Sequence, residues 1–242
     1  MGLIPAAKTF AGSIARFFLP WACAGCRTPL ETIDDTGFCG RCWLFLPRIQ
    51  GCVCGLCGLY LKDGGNRCFS CREEPFKLLV RAAVSYTGPV VSAVHRFKYA
   101  GRKTLGLSFR ALMEFAWNQY PELQPVDTLV PVPLHPSSFR ERGYNQARVL
   151  AQDLSAVTRL PLSDVLLRPK KTTAQFKLRK SQRRANIQGA FALAPGAASV
   201  KTRHLLLVDD VCTTGATLQE CSKLLRRAGA AGVKALVLAR DI

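Results

Sequence analysis

The chain's 242 residues include 34 lysines and arginines against 16 acidic residues, a formal net charge of +18. Hydrophobic residues make up 48%, enough for one core and a small appendage, which excludes wholesale disorder. The basic excess points to a polyanionic ligand or partner: nucleic acid, nucleotide phosphates or an anionic membrane surface.

The opening stretch, "MGLIPAAKTFAGSIARFFLPWACAGC", is apolar and basic, but Lys8 and Arg16 break it into pieces too short for a secretory core. Cys23 stands where a lipoprotein cleavage site would carry an aliphatic residue. Residues 5–18 are predicted as a short amphipathic helix within an N-terminal segment 1–20. No apolar run reaches the roughly 18 residues that a spanning helix needs, so the chain is expected to lack a transmembrane segment and to be cytoplasmic.

Nine of the eleven cysteines fall between residues 23 and 71. Eight form four C-x2-C knuckles: Cys23/Cys26, Cys39/Cys42, Cys54/Cys57 and Cys68/Cys71. One knuckle aims two thiolates at a point, and two knuckles complete a tetrahedron around Zn²⁺. Taken in order, first with second and third with fourth, they form ribbons of 20 and 18 residues, too short to fold without a staple. Disulfides and an isolated redox pair are the competing readings. A reducing compartment disfavours the first and the fourfold repetition disfavours the second. Cys52 neighbours Cys54 but has the poorer spacing to Cys57. Each set fills four positions, so two structural zinc sites are predicted within a double zinc ribbon at 21–76.

From residue 80 the pattern alternates. Strands are predicted at 80–86, 127–133, 204–210 and 233–239, with helices at 90–101, 105–118, 145–157 and 217–228. That order implies an α/β domain over 80–242 with a parallel sheet, in which ligands sit beyond the carboxyl ends of the strands. The third strand ends there in "LLLVDDVCTTGAT", residues 205–217. Adjacent Asp209 and Asp210 repel, so they call for a cation or a hydroxyl-rich ligand. A Walker B strand would need a G-x-x-x-x-G-K-[ST] loop, which is absent, and a receiver-type pocket would need more chain beyond the strand. A sugar phosphate uses every residue. The acids hold vicinal hydroxyls, while Thr213, Thr214, Gly215, Ala216 and Thr217 hold a phosphate at a helix start.

This run resembles the 5-phosphoribosyl 1-diphosphate (PRPP) motif of type I phosphoribosyltransferases. The resemblance implies that Asp209 and Asp210 bind the ribose hydroxyls, that 213–217 bind the 5′-phosphate, and that Mg²⁺ binds mainly through ligand oxygens. The 6-oxopurine enzymes carry an aspartate base four residues after the first acid. Here that position is Thr213, which speaks against purine salvage. "VPVPLHPSSFRERGYNQA" (130–147) reads as a strand, a proline-punctuated basic loop and a helix. By the same resemblance Arg140, Arg142, Gly143 and Asn145 would hold the diphosphate; the alternative is a solvated turn.

The order of paired knuckles, "RFKYAGR", "PVPL…RERGYNQA", "Q…R…N…GAF" and "VDDVCTTGAT" is similar to the ComF/GntX family over about residues 20–240. This implies a double zinc ribbon joined to a type I phosphoribosyltransferase-like domain, in a family associated with natural competence and the use of external DNA. Between Val165 and Val208 there are ten basic residues and no acidic one. The segment 168–191, with Gln175, Arg183, Asn186 and Phe191 on the family pattern, either closes over PRPP or tracks single-stranded DNA phosphates with Phe176 stacking. A solvated basic helix is the third reading.

Two functions follow. As a phosphoribosyltransferase the protein displaces diphosphate from PRPP, with the acceptor and the catalytic residue unspecified. As a non-catalytic module it keeps the scaffold and docks single-stranded DNA or the uptake machinery. The first, a PRPP-binding protein serving competence and DNA utilisation, uses more of the motifs.

Overall fold

The computed structural model describes residues 22–30, 37–74, 76–99, 105–172, 185–195 and 200–241. The predicted helix at 5–18, and Gln175, Phe176 and Arg183 of the basic stretch, lie outside the described residues. In chain order the elements are α1 (Gly40–Leu44), α2 (Phe69–Glu73), β1 (Leu79–Ser85), α3 (Pro89–Tyr99), α4 (Leu105–Gln119) and β2 (Thr128–Pro131). There follow α5 (Pro136–Arg142), α6 (Gln146–Thr158), β3 (Leu166–Leu167), β4 (Ala192–Leu193), β5 (His204–Cys212), α7 (Ala216–Arg227) and β6 (Gly232–Arg240).

The longest buried apolar runs, "LLLV" in β5 and "ALVLA" in β6, take the centre of a parallel sheet ordered β1-β6-β5-β2. Strands covered on both faces need no polar alternation, which is why these two read as continuous hydrophobic runs. Leu206 and Val208 of β5, with Leu236 and Leu238 of β6, face α3, α4 and α6. Leu205, Leu207, Ala235 and Val237 face the other way, toward α7 and Ile187. In the first layer Phe97 meets Phe109 edge-on at 5.1 Å and Tyr144 at 5.7 Å.

The cysteine-rich region straddles the sheet at its β1 edge. Cys23, Phe38 and Leu46 join the α3–α4–α6 side of the core, whereas Cys54, Cys57, Cys68 and Cys71 join the α7 side. The connector between them runs antiparallel along β1, with Ile49 N–H donating to the Ala83 carbonyl at 3.0 Å and Ser85 N–H to that of Pro47 at 2.8 Å. An edge strand that would otherwise present open backbone groups is thereby closed. Gly58 fits only as glycine. Its φ is +70° and a Cβ there would lie 2.5 Å from the Val80 carbonyl oxygen of β1.

The four main strands and four longer helices fall within a few residues of their predicted bounds. The segment after β2 differs, since residues expected as a basic loop form α5. Pro136 starts it, His135 caps it by accepting the Ser137 N–H at 3.1 Å, and Gly143 ends it at φ +77°. The β3–β4 pair, too short to show any period, brackets the basic stretch.

Candidate functional site

Asp209 and Asp210 stand at the carboxyl end of β5, between β6 and β2. Asp210 is buried and Asp209 half-buried, and the Asp210 N–H donates to the Asp209 carboxylate at 2.8 Å. From the last turn of α3, Lys98 Nζ pairs with Asp210 Oδ1 at 3.0 Å. Burial alone would lower the Lys98 pKa, but the Asp210 carboxylate outweighs it and holds the ammonium above its ordinary value. Asp209 moves the other way. Burial first, and then the charge of Asp210, push its carboxyl up to about 7.

Two arginines complete the frame. Arg142, the last residue of α5, donates to Tyr99 Oη at 3.1 Å and to Gln146 Oε1 at 3.2 Å, and lies 4.9 Å from the Tyr99 ring centre. Arg168, just after β3, donates to Thr172 Oγ1 at 2.6 Å and lies 5.4 Å from the Phe191 ring centre. Burial lowers the Arg168 pKa, and Asp209 opposes that shift. The Nε–H groups of both arginines are shielded from solvent and have no hydrogen-bond partner among the described residues.

On the other side of the acids, residues 213–215 lead into α7. Gly215, the N-cap, takes φ +72° and has no side chain to cap the helix, while the Thr214 hydroxyl accepts the Ala216 N–H at 3.4 Å. The start of α7 is the positive end of the helix dipole, where anions are favoured. Thr213, Thr214 and Thr217 are half-buried, while Gly215 and Ala216 are buried. The Cβ side of Gly215 is filled by Phe76, whose Cζ would be 2.1 Å from an added Cβ.

The residues expected around a diphosphate separate in space. Arg142 joins the acidic mouth, but the exposed Arg140 lines an open groove of about 380 Å³ with Pro133, Leu134, Pro136 and Phe139. The Asn145 side chain is committed to local structure, accepting from Ala147 N–H at 3.1 Å and donating to the Val132 carbonyl at 3.0 Å. Gly143 closes α5. Sequence reasoning missed Lys98, Arg168 and Tyr99 as neighbours of the acids. Lys98 and Tyr99 lie inside "RFKYAGR", a basic cluster that in sequence fits diphosphate and DNA phosphates equally and gives no sign of a pairing with Asp210.

The cysteines form two tetrads, Cys23/Cys26/Cys39/Cys42 and Cys54/Cys57/Cys68/Cys71, with all Sγ atoms of each within 4.8 Å of one another. Sγ separations of 3.7 Å, Cys26 to Cys39 and Cys57 to Cys68, suit tetrahedral zinc. Zn–S bonds of about 2.3 Å place sulfurs about 3.8 Å apart. Each tetrad could hold zinc, in the knuckle pairing expected from their order. In each, one thiol is readily ionised. Cys26 is lowered to about 6, chiefly by the Thr28 hydroxyl. Cys54 is lowered to about 6 where backbone N–H groups outweigh burial.

The phosphoribosyl transferase domain family matches residues 141–242. Competence protein F of Haemophilus influenzae is 33% identical over 228 residues, spanning 92% of this chain and 98% of its own. The DNA utilization protein YhgH of Escherichia coli K12 is 33% identical over 230 residues, spanning 93% and 99%. Among solved structures, the allosteric regulatory enzyme of purine biosynthesis overlays 59% of this chain and 29% of its own, at 16% identity and a TM-score of 0.39.

Proposed function

The chain belongs to the ComF family of competence and DNA-utilisation proteins, and from that premise we propose that it binds PRPP at the mouth of β5 in support of the use of external DNA. The observation that carries the reading is the acid pair at the end of a central parallel strand, framed by Lys98, Arg142 and Arg168. Asp209 and Asp210 would accept the ribose hydroxyls, and 213–217 would cradle the 5′-phosphate with hydroxyls and helix N–H groups. Arg142 and Arg168 would meet the diphosphate. Of the other residues that the resemblance implies for the diphosphate, Arg140, Gly143 and Asn145 stand apart from the acids, and Arg183 lies outside the described residues. Loss of diphosphate through an oxocarbenium-like state would leave negative charge beside the Arg142 and Arg168 guanidiniums, where preorganised groups act most strongly. Mg²⁺, when bound with the ligand, supplies neutralisation of the diphosphate oxygens.

The two tetrads would each take one structural zinc. A cytoplasmic location goes with this reading, since thiolate tetrads need a reducing compartment. No helix among the described residues is long and apolar enough to cross a membrane.

Thermal unfolding with ligands added one at a time tests the assignment. PRPP with Mg²⁺ should raise the unfolding temperature more than ribose 5-phosphate or diphosphate alone, because only PRPP fills all three parts of the site. Equal shifts with diphosphate alone would reduce the site to a generic anion patch.

A further inference from the structure

The two tetrads differ in what they touch. The first packs on the α3–α4 face. A Cβ on Gly25 would lie 2.6 Å from Pro89 Cβ, and Arg96 donates to the Cys23 carbonyl at 3.4 Å. The second is fully buried and shares a core cluster with Phe76, Cys212, Ala216 and Leu218, which surround the phosphate loop.

One side chain joins the second tetrad to that loop directly. Arg240, the last residue of β6, is 7% exposed. Its Nε donates to the Cys57 carbonyl at 3.1 Å. Its Nη1 donates to the Cys212 carbonyl at 2.9 Å and also to the Thr213 carbonyl. A single guanidinium thus holds a knuckle at one end and the first residues of the loop at the other. Phe76, five residues beyond Cys71, adds the ring that covers Gly215.

Charge gives this link a reason. Arg240 is a buried cation that forms no ion pair with a carboxylate among the described residues; its acceptors there are backbone carbonyls. A divalent ion held by four thiolates carries a net charge of about −2 and would supply the missing counter-charge beside Cys57.

We infer that the second tetrad, loaded with its metal, sets the shape of the 212–217 loop through Arg240 and Phe76, and that the first tetrad does not. Arg240 is in this sense a positioning residue. It fixes the Cys212 and Thr213 carbonyls, and with them the path of the backbone into Gly215. The functional weight of this link rests on the phosphate-loop reading given above, but the link itself can be measured without any ligand.

The experiment is hydrogen–deuterium exchange across 212–219 in the full chain, with zinc counted in each sample. Cys57→Ser should speed exchange there by about tenfold relative to the rest of the sheet, while Cys26→Ser produces no such local excess over 212–219. Since Cys57→Ser could disturb folding more widely, Arg240→Met is the deciding variant. It should keep both metal ions and still loosen the loop, and Arg240→Lys, which preserves the charge, should recover part of the protection. An Arg240→Met protein with both metals and wild-type exchange over 212–219 overturns the inference. PRPP calorimetry on the same samples separates the two claims. Wild-type binding with a loop indifferent to Arg240 removes the link and keeps the ligand. A responsive loop that ignores PRPP keeps the link and removes the ligand.

Discussion

Asp209 shows what the site costs its own fold. Burial and Asp210 hold its carboxyl up to about 7, above the value near 3.9 expected in an unfolded chain. The folded state therefore binds the proton more tightly. That contribution is complete at low pH and is lost as pH rises through about 7. Asp209→Asn should raise the unfolding temperature at pH 8 by more than it does at pH 5, with the difference vanishing only below about pH 4, read by scanning calorimetry. Ligand binding runs against stability here. A carboxylate that accepts ribose hydroxyls must be ionised, so PRPP affinity should climb between pH 6 and pH 8. The ligand's own phosphates gain charge near pH 6. Asp209→Asn should therefore keep only that part of the rise.

At the scale of elements, the start of α7 is shaped by a contact far away in sequence. Gly215 at φ +72° faces Phe76, and an added Cβ would fall 2.1 Å from the ring. Gly215→Ala should cost more than the roughly 1 kcal/mol expected of a left-handed position alone, because the ring must also move. Phe76→Leu in the same chain should return part of that loss. Denaturant titration of the two single variants and the double variant gives the coupling directly, and simple additivity would mean that the ring is no obstacle. This contact was invisible in the sequence, where Gly215 read only as one of the residues that hold a phosphate at a helix start. β5 and β6 were legible because strands buried on both faces must be apolar throughout. The knuckles were legible because metal geometry sets a short local spacing. α5 could have been read from Pro136 and Gly143, which sit at the two ends of a helix where each is favoured. Lys98 could not, since its pairing with Asp210 depends on how α3 packs over β5. The same holds for Arg168, which a two-residue strand delivers to the acids.

On the scale of the whole molecule, the cysteine-rich region is not an appendage. Its connector completes the β1 edge, and its two tetrads enter the core on opposite faces of the sheet. Structural zinc in small modules contributes on the order of 10 kcal/mol, so stripping both metals should destabilise the entire chain rather than release a ribbon. Scanning calorimetry of metal-free protein should show one broadened transition at a much lower temperature, with no residual high-temperature unfolding of residues 80–242. The net charge of +18 favours polyanions of many kinds, and charge alone does not choose among them. The choice lies in the acid pair, which would repel a bare polyphosphate and reward a ligand bearing vicinal hydroxyls.

Isothermal calorimetry of PRPP with Mg²⁺, on wild type and on Asp209→Asn/Asp210→Asn, therefore goes to the centre of the matter. Saturable binding with one site per chain, lost in the double variant, is the predicted result. Wild-type protein that ignores PRPP, or a double variant that binds it equally well, would contradict the assignment of this mouth to a phosphoribosyl ligand.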